Sequence, residues 1–174
     1  GENIIDWVKQ KEDEKWQAQN LTELQSFGSE IQFQFNLNQK FGQHLPNKIS
    51  FNYLFNNIKK EEQDFISYYV LDHLKHKFTG TVNQSFFRNF TLDIKVVYQD
   101  REGTYTEFVN DEYGAQIEYP PFWIFDGKLN YNWRNLNLYL SVNNIFDLVY
   151  VDIGNVNQPG RWTKLGISYL LNFN

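Results

Sequence analysis

The chain of 174 residues is long enough for one domain with a sizeable hydrophobic core. Its formal net charge of -5 argues against nucleic acid as a partner, because phosphate binding needs a basic surface. The absence of cysteine excludes disulfides, thiolate catalysis and cysteine-ligated zinc. Aromatic residues make up 18% of a chain whose mean hydropathy is polar, which indicates that apolar groups are concentrated on one face.

Along the whole chain, apolar and polar side chains alternate with a period of two. In SEIQFQFNL, Ile31, Phe33 and Phe35 fall on one side, and Gln32 and Gln34 fall on the other. Helical spacing fits such runs poorly, so the pattern predicts antiparallel β structure. The predicted strands, about eight in number, cover 3–9, 29–37, 48–55, 76–86, 90–100, 125–133, 136–142 and 164–173.

Short and long connections alternate between these strands. The short ones lie at 38–47, 87–89 and 134–135. The longer and more charged ones lie at 10–20, 59–67 and 104–121. Short turns therefore belong to one end of the predicted sheet, and long loops belong to the other.

The first residues, GENIIDWVKQKEDEK, show neither the basic nor the apolar region of a secretory signal peptide. No run reaches the roughly 18 apolar residues of a membrane helix. We therefore expect either a cytoplasmic chain or a processed or partial piece of a larger protein.

Three architectures can host the alternating strands. A soluble sandwich buries the apolar face against a second sheet, a lipocalin-like barrel turns it inward around a ligand, and a transmembrane barrel turns it outward to lipid. The transmembrane barrel agrees best with the strand lengths, the alternating loop lengths and the aromatic residues near strand ends. The candidates for an interfacial aromatic girdle are Tyr98, Trp133, Tyr150, Trp162 and Phe173.

The last hairpin carries a more specific pattern, LYLSVNNIFDLVYVDIGNVNQPGRWTKLGISYLLNF. Its members are Val142, Asn144, Phe146 and Asp147 of a V-x-N-x-F-D motif, Tyr150, PGR at 159–161, and Gly166. Together with the alternating, aromatic-ended last strand, they resemble the end of a TonB-dependent outer-membrane receptor. Upstream, IIDWV, NLTELQSFGSEIQF and YQDREGTY resemble strands from the C-terminal part of such barrels, and Gly28 with Glu30 is similar to their x-G-x-E strand start.

The resemblance spans essentially the whole chain. It implies a receptor barrel of about 22 strands with an N-terminal plug, placed in the lipid of the cell outer membrane. Such a receptor takes up a scarce nutrient, cobalamin or ferric siderophore, and the TonB–ExbB–ExbD complex drives uptake through the plug. Residues 1–174 have room for about eight strands and contain no recognisable plug or TonB box.

We therefore predict an all-β fold. The chain is an antiparallel, up-and-down transmembrane β-barrel segment with short periplasmic turns and long extracellular loops. It forms a single unit, the C-terminal part of a larger receptor barrel whose plug lies elsewhere.

Nothing in the sequence supports enzymatic activity. His73 and His76 are three positions apart in a strand-like stretch, so their rings should point to opposite faces and not converge on a metal. No nucleophile elbow and no glycine-rich phosphate loop is present. We predict no catalytic residue, no metal site and no cofactor.

The aromatic residues of the loop TYTEFVNDEYGAQIEYPPFW suit a rigid or planar ligand. Three of them are candidates for substrate binding in an extracellular loop: Tyr105, Phe108 and Tyr113. The other three lie next to a strand and are expected in the aromatic belt or in loop packing: Tyr119, Phe122 and Trp123.

The polar side chains that face away from the apolar band have two interpretations. They are Glu30, Gln32, Gln34, Asp93, Lys95, Asp126, Lys128 and Lys164. The preferred interpretation is that they solvate the lumen wall or pair with the plug and with neighbouring strands. The other is that some of them line the substrate path.

In the closing stretch we interpret Asn144, Phe146 and Asp147 as structural residues that finish the penultimate strand. Trp162 begins the last strand and is expected in the outer aromatic belt.

Among substrates, cobalamin is narrowly favoured, because IIDWV…W…NLT and YxDxGNVxQPGRW resemble receptors of that group, and ferric siderophore follows closely. The alternative function is a self-contained small β-barrel binding protein that holds one apolar ligand. In that alternative, Phe33, Phe35, Leu138 and Leu140 point inward.

Overall fold

A computed structural model of the chain describes residues 4–9, 11, 14–21, 24–37, 45–60, 66–67, 73–109, 111–153 and 156–171. All regular secondary structure in these ranges is β-strand. Within the same ranges, no helix is long and apolar enough to cross a membrane.

Twelve strands follow one another along the described chain. They are β1 (Ile4–Lys9), β2 (Gln17–Leu21), β3 (Leu24–Asn36), β4 (Lys48–Lys60), β5 (Ile66–Ser67), β6 (Leu74–Phe86), β7 (Phe90–Arg101), β8 (Thr104–Val109), β9 (Glu112–Glu118), β10 (Phe122–Trp133), β11 (Leu136–Asn143) and β12 (Trp162–Tyr169). Seven of them form one sheet in the order β12-β11-β10-β7-β6-β4-β3. Every neighbouring pair in this sheet is antiparallel, and strands that follow one another along the chain lie side by side, so the sheet is an up-and-down meander.

Two smaller sheets complete the fold. Strands β2, β1 and β5 pair in that order, and β8 pairs with β9 as a hairpin. The all-β, antiparallel, up-and-down prediction is confirmed. The first predicted strand forms as β1, but it pairs with β2 and β5 and not with the main sheet.

The predicted long connections contain strands of their own. β2 begins within 10–20 and ends one residue beyond it, β4 continues to Lys60, and the hairpin of β8 and β9 occupies most of 104–121. The sequence does not predict β2, β8 and β9, because these connections are rich in charge and a strand of five to seven residues gives a weak periodic signal.

The two ends of the main sheet differ as predicted. At the turn end, β6 passes to β7 through residues 87–89, and β10 passes to β11 through residues 134–135. Phe87 and Arg134 adopt φ values of 48° and 50°, which such tight turns require. At the opposite end, here the loop end, lie the connections 102–121 and 144–161.

One face of the main sheet is apolar because its rows are formed by apolar residues in register. Phe33 lies opposite Phe51, and Leu129 lies opposite both Leu92 and Leu140. Directly opposed side chains point to the same face of a sheet, so these pairs define the apolar face. Its side chains are widely accessible; Phe33 is 47% exposed, for example.

Two clusters of aromatic rings border this face. The loop-end girdle is formed by Tyr53, Phe55, His76, Phe78, Tyr98, Trp123 and Phe125, whose rings contact one another across neighbouring strands. The turn-end girdle is formed by Phe86, Phe87, Phe90 and Tyr131. Aromatic bands at both limits of an apolar face are typical of membrane-spanning barrels. Of the predicted girdle residues, Tyr98 lies in the loop-end girdle, and Phe173 lies outside the described residues.

The opposite face is polar, and its rows also cross the sheet in register. One row runs through six neighbouring strands: Lys48, Asn83, Asp93, Lys128, Ser141 and Lys164. The predicted division of each strand into an apolar and a polar side is therefore realised across the whole sheet.

Few side chains are buried in the described ranges. The buried hydrophobic residues are Val8, Tyr119, Ile124 and Val151. A seven-stranded sheet with so little core is a single layer, so burial of its apolar face has to come from outside the described chain.

We expect Leu140→Arg to destabilise the protein in a lipid bilayer. Leu140 lies on the apolar face opposite Leu129 and Leu165, between the two girdles. An arginine facing lipid near mid-bilayer costs about 2–4 kcal/mol. The measurement is the free energy of unfolding in lipid vesicles, from a urea titration of the membrane-inserted protein. Ser168→Arg, on the polar face of the adjacent strand, is the matched control and should cost little; an equal cost for both variants would contradict this assignment of the faces.

Candidate functional site

The connection 144–161, here the strap, is organised around Asn144. This side chain is 5% exposed, and its φ of 50° lies in the left-handed region that asparagine tolerates better than most residues. Its Nδ2 donates to the carbonyl oxygens of Leu148 (2.8 Å) and Pro159 (3.4 Å), and its Oδ1 accepts from the Leu148 amide (3.0 Å). Asn144 thus holds the two sides of the strap together.

A second set of contacts closes the base of the strap. The Arg161 amide donates to Asp147 Oδ1 at 2.6 Å, and the Asp147 amide donates to the Asn144 carbonyl at 2.9 Å. At Gly160, an added Cβ would lie 2.6 Å from Asp147 Oδ1, so the glycine permits this approach. The predicted structural role of Asn144 and Asp147 is consistent with these contacts, and Phe146 packs edge-on against Phe125.

The strap folds over the polar face of the main sheet. Asp152 Oδ1 accepts hydrogen bonds from Gln99 and from the guanidinium of Arg101, both at 3.1 Å. Tyr150 packs on Phe122 with ring centroids 4.4 Å apart, and Phe122 lies opposite Gln99 in the register. The strap therefore covers the loop end of the polar face, next to the buried side chain of Ile124.

Two aromatic predictions need correction at this point. Tyr150 does not lie in a girdle, because the strap carries it onto Phe122 on the polar side. Trp162 also lies on the polar face, since it shares the alternation of Lys164, whose Nζ is 4.0 Å from the Trp162 ring centroid. An aromatic residue at a strand end has no preferred face until register assigns one.

The three predicted binding residues lie on the hairpin of β8 and β9. Phe108 pairs directly with Tyr113 across the two strands, and Phe108 is 52% exposed. The side chain of Tyr113 lies outside the described residues. Tyr105 is at the base of the hairpin, where its ring packs on Tyr119 with centroids 5.0 Å apart. The hairpin thus brings Phe108 and Tyr113 together and gives Tyr105 a packing contact.

Arg101 connects the hairpin to the strap. Its guanidinium carbon lies 5.8 Å from the ring centroid of the buried Tyr119 and, on the strap side, it pairs with Asp152. The sequence gives Arg101 no role, and Asp152 stands out only as a position of YxDxGNVxQPGRW. A charge at or beyond the end of a strand is usually a solvated group.

Three ionisable groups at the loop end, Lys75, Glu102 and Tyr150, have perturbed pKa values, and the hydrogen bond with Glu102 raises the pKa of Lys75. A hydrogen bond from Lys75, at 2.6 Å, lowers the pKa of Glu102 below its ordinary value against the opposing effect of partial burial. Burial raises the pKa of Tyr150, with the nearby charges of Asp152 and Asp126 adding to the rise. The hydrogen bond between Lys75 and Glu102 therefore stabilises the fold at pH values above the ordinary carboxyl pKa. This stabilisation is lost as the pH falls through the lowered pKa of Glu102.

The polar face also contains a groove of about 510 Å³. Lys48, Lys95 and Lys128 line it together with Asp93 and Asp126. The rest of the lining consists of residues with hydroxyl or amide groups and of three without them: Thr81, Asn83, Ser141, Asn143, Val82, Ile94 and Gly127. Asp93 accepts hydrogen bonds from Asn83 (2.5 Å) and Asn130 (3.0 Å), whose strands flank β7 on either side. The sequence indicated polar residues here, but only the register brings these amides to one carboxylate.

Among the described residues, no group of three or more histidine, aspartate or glutamate side chains is placed to hold a metal ion. His76 is hydrogen-bonded to Tyr53 Oη through Nδ1 at 2.8 Å and packs in the loop-end girdle.

We expect Asn144→Ala to destabilise the strap by about 2–4 kcal/mol. The change leaves part-buried backbone groups without their hydrogen-bond partners and places alanine at positive φ. Asn144→Gly is the matched control, since it loses the same hydrogen bonds without the backbone strain. The measurement combines thermal unfolding with proteolysis of the strap. Alanine should be the worse variant and both should increase cleavage; wild-type resistance in both would contradict the role of Asn144.

Comparison with known proteins gives one structural relative. No family model and no curated protein matches the chain. Among solved structures, the chain is similar to the FrpB iron transporter from Neisseria meningitidis (F3-3 variant), with a TM-score of 0.66 and 14% sequence identity. The similarity covers 97% of this chain and 27% of the transporter, so the chain spans about a quarter of that protein's length. A similarity at 14% identity shows the fold alone. Together with the two-faced meander, it establishes that the chain is an all-β, antiparallel, up-and-down segment of the transmembrane barrel type.

Proposed function

We propose that this chain is the C-terminal barrel portion of a TonB-dependent outer-membrane receptor that takes up a scarce nutrient. The observation that carries the proposal is the similarity of nearly the whole chain to 27% of an iron transporter. In this proposal the apolar face contacts outer-membrane lipid and the polar face lines the lumen. TonB–ExbB–ExbD acts through a plug domain outside residues 1–174.

The amphipathic sheet supports this assignment of the faces. Leucine, isoleucine and aromatic side chains cover one face between two aromatic girdles, as a bilayer requires. The polar face offers amides, hydroxyls and ammonium groups to a water-filled interior. The strap and the hairpin then lie on the extracellular side, where an incoming nutrient first meets the receptor.

For the nutrient, we propose cobalamin or a ferric siderophore. The closing hairpin resembles cobalamin receptors, whereas the structural relative is an iron transporter. These two lines of support point to different members of one class of cargo, so the experiment includes both.

The self-contained barrel that holds one apolar ligand has less support. That alternative places Phe33, Phe35, Leu138 and Leu140 inside a barrel. In the described structure they are 47, 51, 37 and 39% exposed on the face bordered by the girdles. Monodispersity of the 174-residue chain in plain buffer without detergent would favour the alternative.

The test of the proposed function is uptake by cells that express the full reading frame containing this chain. Labelled cobalamin and a labelled ferric siderophore are supplied separately, with TonB intact or deleted. We expect uptake of one of them, dependent on TonB and competed by the unlabelled form. Uptake of neither, or uptake that persists without TonB, would overturn the proposal.

The hairpin residues Tyr105, Phe108 and Tyr113 are the proposed contacts to that nutrient. We expect Phe108→Ala combined with Tyr113→Ala to weaken equilibrium binding of the transported nutrient about tenfold, because aromatic rings that contact a ligand contribute much of the binding energy. Tyr105→Ala should act partly through the lost contact with Tyr119 and is measured separately.

Phe87→Asn is the control for this pair. It removes an 85% exposed ring at the turn end and substitutes a residue that tolerates the positive φ. Equal loss of binding in the control, or none in the hairpin variants, would exclude the hairpin as the binding surface.

A further inference from the structure

The polar face has an excess of positive charge, whereas the chain as a whole has an excess of negative charge. The chain carries 21 acidic and 16 basic residues. On the polar face, from the turn end up to and including the row of Lys77, Gln99 and Phe122, the balance is reversed. Five lysines, Lys48, Lys77, Lys95, Lys128 and Lys164, stand there with three carboxylates, Glu30, Asp93 and Asp126.

Neutral N–H donors engage all three carboxylates. Asp93 accepts from the two asparagine amides on the neighbouring strands, Asn83 and Asn130. Asp126 accepts from the Asn144 amide at 2.9 Å, and Glu30 accepts from the Asn52 side chain at 2.5 Å. These hydrogen bonds satisfy the carboxylates without using the nearby ammonium groups.

The register would have allowed lysine–carboxylate pairs. Asp93 lies directly opposite Lys128, and Asp126 lies directly opposite Lys95. Yet the ion pairs among the described residues are Lys75–Glu102, Arg101–Asp152 and Arg161–Asp147, and none of them includes a lysine of the polar face. Lys128 lies instead 4.6 Å from the ring centroid of Tyr139.

Three of these lysines line the groove on the polar face. Lys48, Lys95 and Lys128 belong to β4, β7 and β10, and all three line the groove of about 510 Å³. A volume of this order is typical of small-molecule sites, which span about 300–1,000 Å³. Between the lysines, Thr81 and Ser141 supply hydroxyls and Asn143 supplies an amide, groups that bind anionic oxygens by hydrogen bonds.

We propose that this groove binds a small solute bearing several anionic oxygens, such as a polycarboxylate or a phosphate ester, on its way through the barrel. Passage through the barrel rests on the proposed function. Anion binding by the groove rests on its lysines and on the hydrogen bonds that already hold its carboxylates. A groove with a surplus of positive charge concentrates anions, so anionic solutes are favoured there over neutral and cationic ones.

The test uses citrate as the probe and the purified full-length receptor in detergent, with sorbitol as the uncharged comparison. We expect radiolabelled citrate to bind in equilibrium dialysis, sorbitol not to bind, and added salt to weaken the citrate interaction. Lys95→Gln combined with Lys128→Gln should reduce citrate affinity about tenfold or more. Lys75→Gln is the matched control, because Lys75 pairs with Glu102 at the loop end, and citrate affinity should be unchanged.

The outcomes separate this inference from the proposed function. TonB-dependent uptake together with absent or variant-insensitive citrate binding overturns the anion groove alone. Citrate binding that depends on Lys95 and Lys128, without uptake of either nutrient, supports the groove and overturns the transport proposal. If the double variant instead lowers the melting temperature of the receptor and citrate does not bind the parent protein, the lysines face an acidic surface of the plug and the inference fails.

Discussion

The continuous register of the seven-stranded sheet is the constraint on which its other features depend. Because side chains alternate along each strand, a slip of one residue between any two strands would exchange the two faces beyond that point. The pairings from β3 to β12 keep the apolar rows together and place Lys48, Asp93, Lys128 and Lys164 in one row of the other face. With so few buried side chains in the described ranges, the sheet has little core to correct a slip, so backbone pairing and cross-strand contacts must hold the register.

The loop end and the turn end use this register in different ways. At the turn end, two tight connections join strands with little additional structure. At the loop end, side chains of the polar face serve as anchors for the segments beyond the sheet. Arg101 is shared between Tyr119 below the hairpin and Asp152 of the strap, and Asp126 receives the amide of Asn144. The hairpin that carries the candidate binding residues and the strap that covers the polar face are thus tied to the same strands.

The sequence was sufficient for the period-two strands, the division into two faces and the alternation of short and long connections, because these are local properties of the chain. It failed where the outcome depends on which strands meet. β1 looks like another strand of the main sheet, and only pairing with β2 and β5 places it elsewhere. Trp162 fits a girdle by its position at a strand end, yet register puts it beside Lys164. At the candidate sites, Phe108 and Tyr113 were identified as loop aromatics, but their direct pairing and the amides that hold Asp93 are long-range facts.

The motif in the closing hairpin is explained by the hairpin's own contacts. Asn144 bonds to Leu148 and Pro159, Asp147 bonds to Arg161 past Gly160, and at Gly166 the ring of Tyr139 occupies the space that a Cβ would need. Each of these residues contributes to the geometry of the strap or of the last strand pair. A motif of this kind therefore reflects how the strap and the last strand pair are built. The lysines of the polar groove differ from these residues, because amides already hold Asp93 beside them and none of the ion pairs among the described residues includes them.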